Sequence, residues 1–357
     1  MRHTRIKLPA PASYHITSRV KNDDFLLEED ADKRDLLGII RRTAAFSGII
    51  VMSYTILDNH FHLLVNIPVR QEVDNDELER RVRTLYGDEA AESKFERWRF
   101  WESIGKAELA EKERYALRRR MYDISPFMKE IKQLFTCSYN RRHNRVGTIW
   151  GRSRFKSAAV VSDFNTLATV AAYIDLNAVR ARIARHPKNY KWCGLGAAKK
   201  GDTLALSGLA ALFFADKFRM KDCSAADREA ALDEYMRFID GTKKSRDTHA
   251  LNIQTKHQSQ YVRKTLDSAD LTKLGAEGVA RWLEESEIKP ESAWEMWNRR
   301  FGNLVVGGII GPLALMLEAR ETVMVGAGIH RWRPGMFEGI CTFIHERNEK
   351  ARKQNAV

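Results

Sequence analysis

The run "HFHLLVNI", His60 to Ile67, restricts the possible folds of this chain more than any other stretch. Side chains of an extended strand alternate between two faces. Phe61, Leu63, Val65 and Ile67 therefore share one face that carries no polar side chain, while His60, His62, Leu64 and Asn66 share the other. The apolar face has to cover a core, so the run is a strand of a packed sheet. Its two imidazoles then stand side by side on the opposite face, close enough to chelate one divalent ion. Alone, an HxH pair is a weak sign, because two half-exposed imidazoles at a hairpin end look the same.

The neighbouring segments supply the rest of a sheet. "SYHITSRV" (Ser13 to Val20) alternates and reads as a first strand. A helix follows, with Leu36, Leu37, Ile40 and Ala44 at helical spacing and Gly48 at its end. "IIVMSYTILD" is a second strand that turns back at Asp58-Asn59. Residues 70–122 are dominated by charge, which suggests a helical insertion without a dense core of its own. Ser125 as N-cap with Pro126 at the first helical position starts another helix. The strand-like "AAVVS" comes next, then a helix from Phe164 capped by Ser162 or Asp163. Looser composition marks a linker at 194–203, and 204–357 reads as a mainly helical C-terminal region beyond a first domain at 1–193.

Charge narrows the partners. The chain has 357 residues and a formal net charge of +13, which favours a polyanion, most commonly nucleic acid. No amphipathic basic helix, lipidation site or bilayer-length apolar run points to a membrane. The N-terminal "MRHTRIKLPAPASYH" lacks the apolar core of a signal peptide. Cys137, Cys193, Cys223 and Cys341 are scattered with no CxxC pair, a reduced pattern that predicts a cytoplasmic protein.

Two further groups bear on chemistry. On the helix from Phe164, Tyr173 and Asn177 are four residues apart and stack one turn above the other, beside an apolar stripe of Leu167, Val170, Ala171 and Ile174. Placed against the imidazoles, they would add a nucleophilic hydroxyl and a hard oxygen ligand. Between them and the strand lie Arg141, Arg142, Arg145, Arg152, Arg154 and Lys156 with no acidic residue, and Trp150 and Phe155 are interleaved. Cations of this kind track phosphates, and rings such as Trp150 stack on unpaired bases; the plain alternative is a solvated loop with its aromatics in the core. Arg180 and Arg182 could hold phosphate or simply be solvated. Tyr139 reads as core packing, and His15 as a structural histidine near the site.

Taken in order, "NHFHLLV", "GTIWGRSRFKS" and "YIDLNAVRA" resemble the single-tyrosine HUH transposases of the insertion-sequence type, closest to the REP-associated tyrosine transposases (the IS200-like transposase domain). The resemblance spans roughly Tyr14 to Trp192. It implies an α+β fold: a ferredoxin-like antiparallel sheet with helices on one side, whose central strand bears the histidines. It further implies that His60, His62 and Asn177 hold Mg²⁺ or Mn²⁺ and that Tyr173 is the nucleophile; the basic segment and Arg180, read from their charge, are then the candidate contacts to single-stranded or hairpin DNA. Ala178 stands where the family often has proline. The implied activity is DNA strand transfer through a 5′-phosphotyrosine, in a cytoplasmic protein that is nucleoid-associated when bound to DNA. A hairpin-binding protein that no longer cleaves would present the same surface. A metallohydrolase of small substrates fits poorly with the charge and the lack of acidic ligands. Monomer and homodimer are both open.

Overall fold

In the computed structural model, which describes residues 8–151, 155–160, 162, 164–213, 224–249 and 309–310, the first elements are those the pattern predicts. They are β1 (Ala12–Arg19), α1 (Asp30–Ser47), β2 (Ile50–Ile56) and β3 (His60–Ile67). Helix α1 stops where Gly48 adopts φ 73°, a left-handed value, and its N–H closes on the Ala44 carbonyl. A Cβ at Gly48 would also lie 2.6 Å from the Tyr122 ring, so two constraints select glycine there.

The chain continues through α2 (Asn75–Tyr86), α3 (Asp88–Ser103), α4 (Ala107–Arg118), α5 (Ile124–Arg142), β4 (Lys156–Val160), α6 (Phe164–Asp175) and α7 (Asn177–Arg180). Beyond these lie α8 (Gly194–Ala198), α9 (Thr203–Phe213), α10 (Ala225–His249) and a two-residue β5 (Ile309–Ile310). The sheet order is β2-β3-β1-β4-β5. Its first four strands pair antiparallel, and β5 runs parallel to β4. With α1 between β1 and β2, and α5 between β3 and β4, this is the ferredoxin-like βαββαβ arrangement in an α+β fold. The histidine strand is interior, as the resemblance implies.

Phe61, Leu63 and Val65 are fully buried, each a side chain whose burial stabilises by roughly 1.5–3 kcal/mol. Phe61 meets Trp150, which in turn packs on Phe135 of α5. Helices α1 and α5 pack on each other beside this face. The second face is covered too, where the resemblance implied helices on one side only. Thr55 pairs with His62 and so shares its face, and the Thr55 hydroxyl donates to the Ile174 carbonyl of α6 at 2.7 Å. Leu64, on the same face of β3, is fully buried, and α6 packs against that strand.

Three local expectations change. The cap of α5 is Asp123, whose carboxylate accepts from the Ser125 N–H at 2.7 Å, two residues before the predicted Ser125. Pro126 still falls in the first turn, where no donor is required. The insertion does have a core: Leu78, Val82, Phe95 and Trp98 are buried together with Phe46 of α1. Arginine stems cover it, with the Arg114 guanidinium 5.0 Å from the Trp98 ring, which is how so charged a sequence buries rings.

The segment around Gly194 and Gly196, which composition marks as a linker, is packed. A Cβ on Gly196 would stand 1.9 Å from the Tyr190 carbonyl oxygen, so these glycines permit close approach rather than flexibility. Helices α9 and α10 join the same core through Leu209, Leu212, Tyr235 and Ile239. Asp163, one of the two predicted α6 caps, and most of 204–357 lie outside the described residues.

Candidate active site

Strand register assembles the polar face. Thr17 of β1 lies opposite His62, and Arg19 opposite His60. On the far side of β1, Lys156 lies opposite Thr17. Directly paired residues of antiparallel strands point the same way, so Thr55, His62, Thr17 and Lys156 form one row across four strands. The imidazoles of His60 and His62 are 5.0 Å apart between ring centres.

Each imidazole has its Nδ1 occupied nearby. His60 Nδ1 is 2.6 Å from the Asn59 side-chain oxygen. His62 Nδ1 is 3.0 Å from both the Thr17 hydroxyl and Nε2 of His15. His15, buried and stacked on His62 with ring centres 5.2 Å apart, is thus a direct neighbour of the pair. Burial keeps all three rings neutral: it lowers His60 to about 4 and His15 to about 3, and depresses His62 well below the usual value. The Arg19 guanidinium pushes both His60 and His62 further down. Neutral imidazole is the form that binds metal.

Helix α6 brings Tyr173 onto this face. Its ring is edge-on to His62 at 6.1 Å and to His15 at 5.9 Å, and the Arg180 guanidinium sits 4.3 Å from it. Burial raises the phenol pKa, and the Arg180 charge opposes that rise. Asn177 opens α7, one turn on. Its amide nitrogen donates back to the carbonyls of Tyr173 at 2.9 Å and Ile174 at 3.3 Å, which leaves the amide oxygen as the atom suited to a ligand role. Two neutral imidazoles and an amide oxygen are a donor set that fits Mn²⁺, or Mg²⁺ with water completing its shell.

No protein-family model matches the chain, and no curated protein does. Among solved structures, a REP-associated tyrosine transposase bound to a REP hairpin is similar at a TM-score of 0.36 and 14% identity, over 55% of this chain and 84% of that one. A likeness of that size assigns nothing to this chain; what the site can do follows from its own residues.

The predicted DNA contacts divide. Arg141 and Arg145 are exposed at the end of α5, and Lys156 and Arg180 are exposed on β4 and α7. Arg142 is committed elsewhere: it binds Asp32 at 2.6 Å and Asp35 at 2.9 Å, pinning α5 to α1. Trp150 is not a stacking ring. It is 4% exposed, packs between Phe61 and Phe135, and donates its indole N–H to the Lys132 carbonyl at 3.1 Å, because the loop after α5 returns through the core. Arg152 and Arg154 lie outside the described residues.

Tyr139, read from the sequence as core packing, is buried and stacked on His143. Glu29, Asp32 and His143 could geometrically hold a metal ion. The Asp32 carboxylate, however, already binds both Arg142 and His143.

Four contributors escaped the sequence reading: Asn59, Thr17, Arg19 and Asp175. Thr17 and Arg19 share a face with the histidines only once register is known, and Asn59 meets His60 only through the fold of the turn before it. Asp175 is fully buried beneath α6, where it accepts from the Tyr235 hydroxyl at 2.7 Å, the Leu195 N–H at 3.0 Å and the Ser53 hydroxyl at 3.4 Å. A carboxylate inside an otherwise apolar helix face was the signal available for it. No helix among the described residues is long and apolar enough to cross a membrane.

Proposed function

We propose that this chain is a metal-dependent DNA strand transferase of the single-tyrosine kind, which cuts and rejoins single-stranded or hairpin DNA. The observation that carries this reading is the seat of Tyr173 on the imidazole face, 6.1 Å from His62 and against Arg180. The Tyr173 oxygen adds in line to a backbone phosphorus as the P–O3′ bond breaks. The phenol proton passes to water, the 3′ strand leaves as a hydroxyl, and the 5′ strand stays on the protein as a phosphotyrosine. Attack by another 3′-hydroxyl reverses the step and joins a new end.

His60, His62 and Asn177 would hold the divalent ion, which when bound polarises a phosphate oxygen. Arg180 stabilises the phenolate that develops in a site where burial disfavours it. Lys156, in the same row as His62, and Arg19, opposite His60, supply positive charge for the flanking phosphates. The overall charge of +13 agrees with such a partner.

The test is covalent capture. A labelled hairpin oligonucleotide with Mn²⁺ should give a denaturation-resistant adduct with the wild-type chain and none with Tyr173→Phe. No adduct across varied oligonucleotides, with binding that ignores metal, would leave a hairpin-binding protein and end the transferase reading.

A further inference from the structure

The hydrogen bonds around the two imidazoles determine which of their nitrogens can face a ligand. Asn59 is decisive for His60. Its amide nitrogen lies 3.3 Å from the Asp23 carbonyl, an acceptor, so the amide is oriented with its oxygen toward His60. An amide oxygen only accepts, and the 2.6 Å contact therefore places the proton on His60 Nδ1. Nε2 is then the nitrogen with a lone pair.

His62 is held differently. Its Nδ1 faces Nε2 of His15 and the Thr17 hydroxyl, both at 3.0 Å. A hydroxyl tolerates either tautomer, but two ring nitrogens in contact require one proton between them. If Nδ1 of His62 carries it, His15 must accept through Nε2 and be protonated on its own Nδ1. The tautomers of the two rings are coupled.

We propose that Asn59 is a positioning residue that holds His60 as the Nδ1–H tautomer, so that its Nε2 lone pair is offered to the divalent cation, while the contact with His15 and Thr17 fixes the orientation of the His62 ring beside it. This rests on the metal site of the reading above and not on DNA cleavage. Metal-bound histidines generally have the remote nitrogen fixed by a neighbour, and loss of that neighbour typically costs 10–100-fold in metal affinity. Here the neighbours come from two places, the β2–β3 turn and the adjacent strand β1. The turn is itself fixed by buried Lys33 of α1, which binds Asp58 at 2.6 Å.

The experiment uses the full chain with ¹⁵N-labelled histidine and reads tautomers from two-bond ¹H–¹⁵N correlations without metal, then Mn²⁺ affinity from water-proton relaxation. Wild type should show Nδ1–H at His60. Asn59→Ala should release His60 to the Nε2–H form and weaken Mn²⁺ about 10–100-fold. Asn59→Asp keeps an accepting oxygen toward His60 but lacks the N–H that reaches Asp23, and should retain both tautomer and affinity. A role confined to holding the turn would make the two variants equally weak, which overturns the proposal. So do Nε2–H at His60 in wild type, undiminished Mn²⁺ affinity in Asn59→Ala, and no Mn²⁺ binding at all. If tautomers and affinities follow the expected pattern while no DNA adduct forms, the positioning role stands and the transferase reading fails.

Discussion

Replacing Asp175 by asparagine tests how α6 is anchored under the site. Burial lifts this carboxyl from its ordinary value of 3.8 to about 6, against the lowering effect of hydrogen bonds from Tyr235 and Leu195. A carboxyl whose folded pKa is raised binds more protons in the folded than in the unfolded state between those two values. Stability linked to it therefore rises as pH falls through about 6 toward 4, the reverse of an ion-paired carboxylate. Integrating for a folded pKa near 6 and an unfolded value near 3.8, wild type gains on the order of 1 kcal/mol between pH 7 and pH 5 from this group. Asp175→Asn lacks the titration but keeps an accepting oxygen, and every other group titrates alike in both proteins. Urea unfolding of both at pH 7 and pH 5 isolates the effect as a difference of differences. Asp175→Ala leaves three buried donors without their acceptor and should be less stable than Asp175→Asn by about 2–4 kcal/mol. A flat or opposite pH difference between wild type and Asp175→Asn would refute the buried-carboxyl account.

Trp150→Ala should destabilise by about 3–5 kcal/mol in urea unfolding, and leave the salt dependence of DNA binding unchanged, since the ring packs between Phe61 and Phe135. Lys156→Gln and Arg180→Gln should each lower the salt slope of single-stranded DNA binding by about 0.7, whereas Arg142→Gln should leave the slope alone and cost about 1–3 kcal/mol of stability, since buried Asp32 keeps only His143 as a partner. His60, lowered to about 4 by burial, contributes stability above pH 6.5 that is lost as pH falls toward 4; relative to His60→Gln, wild type should lose about 2 kcal/mol between pH 7 and pH 5 by the same unfolding measurement.

Local periodicity made much of this molecule legible. The alternation in His60–Ile67 is a property of one strand, and the buried Phe61, Leu63 and Val65 follow from it directly. The same holds for α1 with its terminal Gly48, and for Tyr173 and Asn177 one turn apart. Where composition stood in for geometry, the reading strayed. Glycines at 194 and 196 looked like a linker because close packing and flexibility select the same residue. Trp150 looked like a stacking ring because a basic neighbourhood does not reveal which way an indole points. Arg142 looked like a phosphate contact because Asp32 and Asp35, its partners, are more than a hundred positions earlier.

From the sequence alone came the faces: which side of the histidine strand is apolar, and which residues can stand together on one helix turn. Those are set by backbone repeat, a short-range property. Tertiary structure alone decided which faces meet. Strand register put Thr17, Lys156 and Arg19 among the imidazoles, and the docking of α6 through Thr55 and Asp175 brought Tyr173 to them. Register depends on pairings between segments tens of residues apart, and a shift of one residue would turn every one of those side chains to the opposite face.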